Sequence, residues 1–336
     1  MVVSWPWNQE NATARGVTRI MKKILFTLFI CLFALSLFAQ GIVEAQTMQN
    51  QDAKRVEDLK IASPNGAPAL ALCSIAVDSP DQYTLLAAET ITAEFANRTA
   101  DFIISPLNAG AKLYKMGKSS YKLAAVVSWG NLFFASQKEN FKLEDINGAA
   151  ITLFGENTIN SSIALFVLKE NGITPASVSY LAGAPNTQQL LLSDPNAIVL
   201  TAEPAVTAAR IKKPEITAYS VNELYMKATG NEGFTQAGLF VNPDTVESSP
   251  NTVETYLAMV AESTAKCVND VPAVAEAAVK LEILPNAKVA NSAIPNITVR
   301  FVRALDAKAQ VETTANIDLK QFGGAVPADD FYYGAK

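Results

Sequence analysis

The chain has 336 residues, 49% hydrophobic and 18% charged, with a formal charge of −5; this composition excludes a disordered polyelectrolyte and gives no electrostatic reason to bind nucleic acid. Residues 1–45 carry Arg15, Arg19, Lys22 and Lys23 against Glu10 and Glu44, so removing their net +2 leaves −7. Histidine is absent, which removes His-based triads, imidazole acid–base chemistry and the commonest transition-metal ligand, and neither a metal nor a cofactor is expected.

Met21-Lys22-Lys23 and the apolar run 24–38 predict a secretory signal, too short for a comfortable membrane span. Small-residue cleavage sites follow, Val43-Glu44-Ala45 before Gln46 and Leu37-Phe38-Ala39 before Gln40. Residues 1–20 carry no usable pattern and precede a better initiator, so they are read as an over-called start and 21–45 as the signal peptide. Cys31 lies inside the apolar run behind Ile30, not where a lipid anchor requires it. A cleaved protein released into a periplasm is expected.

A strand over 59–63 meets Pro64-Asn65-Gly66-Ala67-Pro68 and an apolar helix over 69–77, with Asn65 as cap and Pro68 in the first turn. Strand 83–87, helix 90–96, strand 101–104, Ser105-Pro106-Leu107-Asn108 and helix 109–116 continue a β-α alternation, which predicts a mostly parallel sheet covered on both faces. The rhythm breaks at 121–136, where strands 123–128 and 132–135 flank Trp129-Gly130-Asn131 with no helix following, as a crossing between two lobes should read. It restarts with an acidic turn at 144–148, strand 149–154, Gly155-Glu156-Asn157-Thr158 and a helix over 159–168 closed by Asn171-Gly172. Strand 177–180, helix 187–192, strand 198–200, Thr201-Ala202-Glu203-Pro204 and helix 205–211 complete a second α/β unit of domain size. Residues 236–241 read as the return crossing. Helices 253–268 and 271–281, strand 297–302, helix 305–315 and a packed tail at 329–333 follow. Lobe 1 is expected at 57–134 and 242–336, and lobe 2 at 135–241. Cys73 and Cys267 sit in apolar helical patterns, which suggests buried thiols; export makes a disulfide between them chemically possible.

A strand, a small-residue loop and a helix start form the place where open α/β sheets present unpaired backbone N–H groups to a ligand. Gly155, Asn157 and Thr158 are the leading candidates, because a glycine, an amide and a hydroxyl meet there, as an oxyanion or polar ring edge requires; capping alone is the alternative. Asn65, Gly66 and Ala67 at the first corner, and Ser105 and Asn108 at the third strand, carry the same two readings. Trp129 either lines the cleft floor with an aromatic face or packs in the core. Glu203 is either a carboxylate facing an amine or heterocycle, or a first-turn acid serving its helix dipole. No catalytic residue is assigned.

Two α/β lobes joined by two extended crossings behind an export signal resemble a bacterial periplasmic solute-binding protein of the type 2 fold. Ser-Pro-Asn-Gly-Ala-Pro at 63–68, Ala-Asp-Phe-Ile-Ile-Ser-Pro at 100–106, Leu-Glu-Asp-Ile-Asn-Gly at 143–148, Ala-Glu-Pro at 202–204 and Pro-Ala-Asp-Asp-Phe-Tyr-Tyr at 327–333 are similar to the branch serving nitrate, sulfonate, taurine and thiamine-precursor importers. The resemblance implies a monomeric binding subunit of an ABC importer that closes on a small solute and meets the membrane only through a permease and ATPase complex. A ligand sensor for a membrane receptor and an exported enzyme on the same fold are the alternatives. The branch's thiamine-pyrimidine-forming enzyme consumes its own histidine, which this chain lacks.

Overall fold

The computed structural model describes residues 52–335 apart from Glu89. The expected start 1–20, signal peptide 21–45 and Cys31 lie outside the described residues. Strands β1 (Ile61–Pro64), β2 (Tyr83–Leu86), β3 (Phe102–Pro106) and β4 (Lys122–Ser128) come first. The chain then changes sheets for β5 (Leu132–Ser136), β6 (Ala150–Phe154), β7 (Ser177–Leu181), β8 (Ile198–Ala202) and β9 (Thr217–Ser220). It returns with β10 (Ala237–Val241) and β11 (Val299–Arg303). The first sheet has the order β11-β4-β10-β3-β1-β2 and the second β7-β6-β8-β5-β9.

Each sheet holds a parallel set into which a strand arriving from the other lobe is inserted. In the first, β1 is parallel to β2 and β3, while β10 lies antiparallel between β3 and β4. In the second, β6 is parallel to β7 and β8, while β5 lies antiparallel between β8 and β9. The sheets are therefore mixed, although β1–β4 share one direction and β6–β9 share another. The central strands β4, β8 and β10 are buried almost throughout, because helices cover both faces, and their near-continuous apolar runs follow from that.

The lobe divisions expected at 134/135 and 241/242 shift. Leu132, Phe133 and Phe134 pair with Ala202, Thr201 and Leu200 of the second sheet, and Ala237–Val241 pair with the first. The chain changes sheets at 129–131 and 230–236 instead. An apolar strand next to a crossing carries no mark of the sheet it will join, so sequence left each with the lobe before it.

One apolar cluster runs from the first sheet (Ile103, Leu123, Phe240) through Trp129, Leu132 and Phe234 to the second (Phe134, Leu153, Ile163). A second covers the opposite face of the first sheet, where Phe102, Ile104 and Leu239 meet Leu70, Tyr256 and Leu257. Helix Leu107–Lys115 lies so close to β10 that a Cβ on Gly110 would enter the Phe240 ring, so only glycine fits this contact. Asp101 is 2% exposed and binds Lys54 Nζ at 2.5 Å, Thr245 Oγ1 at 2.5 Å and the Lys60 N–H at 2.9 Å, which anchors the front of the described chain. Cys73 and Cys267 are buried free thiols.

The last segment binds both lobes. After helix Lys308–Ile317, Asp318 accepts from Ser162 Oγ at 2.7 Å and Gln321 Nε2 donates to the Asn157 carbonyl at 2.8 Å. The chain then returns to lobe 1, where the Tyr333 N–H donates to the Leu123 carbonyl at 2.8 Å and Phe331 and Tyr332 are fully buried. Among the described residues no helix is long and apolar enough to cross a membrane.

Candidate functional site

Strand direction determines which loops face each other. β1, β2, β3 and β4 all stop at the edge of the first sheet from which β4 leaves for the second. β5 enters the second sheet at Leu132, opposite Ala202 at the end of β8, and Phe133 lies opposite Ser220 at the end of β9. β6 and β7 stop at that same edge, with Phe154 beside Leu181. The carboxyl ends of both strand sets therefore point toward the crossings, where open α/β sheets take ligands. Asn65, Gly66, Ala67, Ser105 and Asn108 follow strand ends of lobe 1, and Gly155, Asn157, Thr158 and Glu203 follow strand ends of lobe 2.

In lobe 1 several polar side chains at this edge have no partner. Asn65 is exposed, its N–H held by the Leu86 carbonyl at 2.8 Å and its side-chain amide 3.4 Å from the Glu282 carbonyl. Gly66 has φ +116, a conformation that glycine adopts freely and that turns the chain into the 3₁₀ helix Ala67–Leu72. Ser105 at the end of β3 is 0% exposed, and its hydroxyl has no hydrogen-bond partner among the described residues. The same holds for Ser128 Oγ at the end of β4, Thr235 Oγ1, and Gln236 Oε1 just before β10. Buried polar groups are nearly always satisfied in native proteins, and leaving one unsatisfied costs about 1–3 kcal/mol. Register brings these residues together: Gly238 lies opposite Ser105 and Ala237 opposite Ser128. The Gln236 backbone donates to the Ser128 carbonyl at 2.9 Å and accepts from the Leu107 N–H at 3.0 Å. Helix Leu107–Lys115 begins at Pro106 without a side-chain cap, and Asn108 is half-buried in its first turn.

In lobe 2 the corresponding corners are closed on themselves. Thr158 Oγ1 donates to the Gly155 carbonyl at 2.7 Å, and the Thr158 N–H donates to Ser161 Oγ at 3.3 Å. Gly155 and Asn157 are left-handed at φ 71 and φ 56, and Asn157 is exposed. Glu203 is 4% exposed and its peptide to Pro204 is cis. Its carboxylate accepts from Thr207 Oγ1 at 2.7 Å, the Thr207 N–H at 3.3 Å and Asn296 Nδ2, from lobe 1, at 3.1 Å. Burial pushes this carboxyl above its ordinary value, against the opposing pull of those donors and of Arg210. Of the two sequence readings of Glu203, the geometry follows the first-turn acid: its oxygens bind the first turn of its own helix, and also Asn296 of the facing lobe, and present no bare carboxylate.

Trp129 is core and offers the cleft no face. It is 0% exposed, its indole N–H donates to the Arg300 carbonyl at 2.9 Å, and the Arg300 guanidinium lies 4.5 Å from the ring centroid. Arg300 Nη1 also binds Glu232 in the return crossing at 2.7 Å, so one side chain ties both crossings to β11. Sequence missed the junction of amides beside it. Gln236 Nε2 donates to Asn131 Oδ1 at 2.8 Å and approaches Asn160 Oδ1 at 3.5 Å, and Asn131 Nδ2 lies 3.4 Å from the Glu203 carbonyl. The available signal was the polar pair Thr235-Gln236 directly before the fully buried strand β10.

Two lobes of this topology, threaded twice, make the two-lobed type 2 periplasmic-binding fold. An ABC transporter protein from Parabacteroides distasonis superposes with a TM-score of 0.72 at 19% identity, over 83% of this chain and 99% of that one. The periplasmic aliphatic sulphonate binding protein SsuA from Escherichia coli gives 0.63 at 13% identity, over 83% and 92%. The alkanesulfonate-binding protein SsuA from Xanthomonas axonopodis pv. citri, solved bound to MOPS, gives 0.58 at 12% identity, over 81% and 96%. At these identities the likeness establishes the fold. No family model matches the chain, and no curated protein matches it.

Proposed function

We propose that the protein is the extracytoplasmic solute-binding subunit of an ABC importer, a monomer whose lobes close on a small solute and deliver it to a permease and ATPase complex. The observation that carries this is that Ser105, Ser128, Thr235 and Gln236, four of the residues with a buried polar atom and no partner among the described residues, come to the edge where both crossings pass. A solute seated there would satisfy them, and one that touches both lobes favours the closed form. Asn65, Gly66, Ala67, Ser105 and Asn108 form the lobe 1 side of the proposed site, and Gly155, Asn157 and Thr158 the lobe 2 side. The solute is a sulfonate- or nitrate-like oxyanion or a thiamine-precursor-like heterocycle, the first in keeping with proteins that share the fold. The role is binding without catalysis, supported by the absence of histidine, and its place is the periplasm, reached by the cleavable signal.

Native mass spectrometry of gently purified protein, paired with small-angle scattering before and after solute removal, tests this. A bound small molecule and a smaller radius of gyration when loaded are expected. A protein that keeps one radius with and without solute sinks the clamp.

A further inference from the structure

Resting on that binding role, we infer that Gln236 reads a hydrogen-bond donor on the solute, so that the end of the solute at the cleft floor is an uncharged N–H or O–H group and not a fully ionised oxyanion. Hydroxyls of Ser105, Ser128 and Thr235 rotate and can serve either polarity. The Gln236 amide cannot do so freely. Its Nε2 is directed at two acceptors, Asn131 Oδ1 at 2.8 Å and Asn160 Oδ1 at 3.5 Å, which leaves Oε1 buried and without a donor among the described residues. Turning Gln236 over would set its oxygen against both Asn oxygens. Turning Asn131 to match would withdraw Nδ2 from the Glu203 carbonyl, 3.4 Å away. The Asn131 contact with the Glu203 carbonyl thus favours one polarity of Gln236, which leaves Oε1 as an acceptor without a donor.

Charge points the same way. Segments 64–67, 105–108, 128–131, 155–160, 201–204 and 235–237 contain no lysine and no arginine; the cation beside them is Arg300, whose guanidinium lies over Trp129 and is paired with Glu232. An anion brought against Oε1 would meet the negative end of an amide dipole, whereas a neutral donor meets a ready partner. A site built to hydrogen-bond one group rejects analogues lacking it, because its own polar atom is then left unpaired.

Thermal shift and calorimetry with two probe classes test this: uracil, cytosine and nicotinamide as neutral donors, and methanesulfonate and nitrate as anions that only accept. At least one neutral probe should raise the midpoint while neither anion does, and Gln236→Leu should weaken the neutral probe at least tenfold. Gln236→Met, which removes the acceptor with less change of shape, should weaken the neutral probe likewise and serves as the comparison if the leucine variant does not fold. Stabilisation by methanesulfonate or nitrate, a neutral probe indifferent to Gln236→Leu, or silence from every probe would each overturn the inference. Ser105→Ala separates the two levels. If it weakens a binder that Gln236→Leu leaves alone, the clamp stands and the role of Gln236 falls; if neither variant matters, both fall.

Discussion

The corners of lobe 1 and lobe 2 are built from similar residues and end up in opposite states. Thr158 follows a glycine at a helix start and looks like a ligand group, yet its hydroxyl is bonded to the Gly155 carbonyl and its N–H to Ser161. Ser105 precedes a proline and looks ordinary, yet its hydroxyl is buried with no partner among the described residues. The difference lies in whether a neighbouring carbonyl takes the hydroxyl. Neither helix start has a side-chain cap bond, but Thr158 turns its hydroxyl onto the Gly155 carbonyl whereas Ser105 finds no partner.

The largest effect should come from breaking the platform of the open corner. Gly110→Val drives a branched side chain into the Phe240 ring, and overpacking of this kind costs about 3 kcal/mol, to be read as a lower urea midpoint together with loss of solute binding. Ser105→Ala should sharpen the comparison by separating binding from stability. It removes a buried unpaired hydroxyl, so the empty protein should gain about 1 kcal/mol while calorimetry records at least tenfold weaker binding; equal losses of both would make Ser105 an ordinary core residue. Thr158→Ala at the closed corner should do the reverse, with about 1 kcal/mol of stability lost with the hydroxyl's bond to the Gly155 carbonyl and a smaller change in affinity than Ser105→Ala gives.

The smallest effect concerns Glu203. Its folded carboxyl titrates above the ordinary value because it is buried, so between the unfolded and folded values the native state binds more protons. Wild-type stability contributed by this group is present below the ordinary carboxyl value of 4.5 and is lost as pH rises through the folded value. Midpoints of the wild type and Glu203→Gln measured from pH 4 to 8 should therefore diverge, the wild type falling relative to the variant as pH rises. Parallel curves would mean that the Thr207 and Asn296 donors fully offset the burial.

The alternation of strands and helices up to 212 was legible because apolar runs, Gly and Pro mark each element; the predicted strand at 83–87 is β2 (Tyr83–Leu86) and the predicted helix at 205–211 is Ala205–Lys212. β9 was not, since Thr217–Ser220 is an edge strand, half-buried at every position and without an apolar run. Helix Val221–Thr229 had readable ends that went unused, a Ser220 cap accepting from the Glu223 N–H and Gly230 at φ 72. In the candidate site, loops following strands were legible because the motif is local. Gln236, Asn131 and Asn160 were not, because they meet only after the chain has crossed between sheets twice, and no spacing along the sequence records that meeting.

The closing stretch of the chain ties the two lobes together beyond their crossings and the Glu203–Asn296 contact. With Asp318 and Gln321 fastened to the helix and loop of one lobe and Tyr333 fastened to a strand of the other, the halves cannot twist freely about a pair of threads. A chain cut ahead of Asp318 should gape wider and wander sideways, which small-angle scattering would register as a larger and broader distribution of sizes.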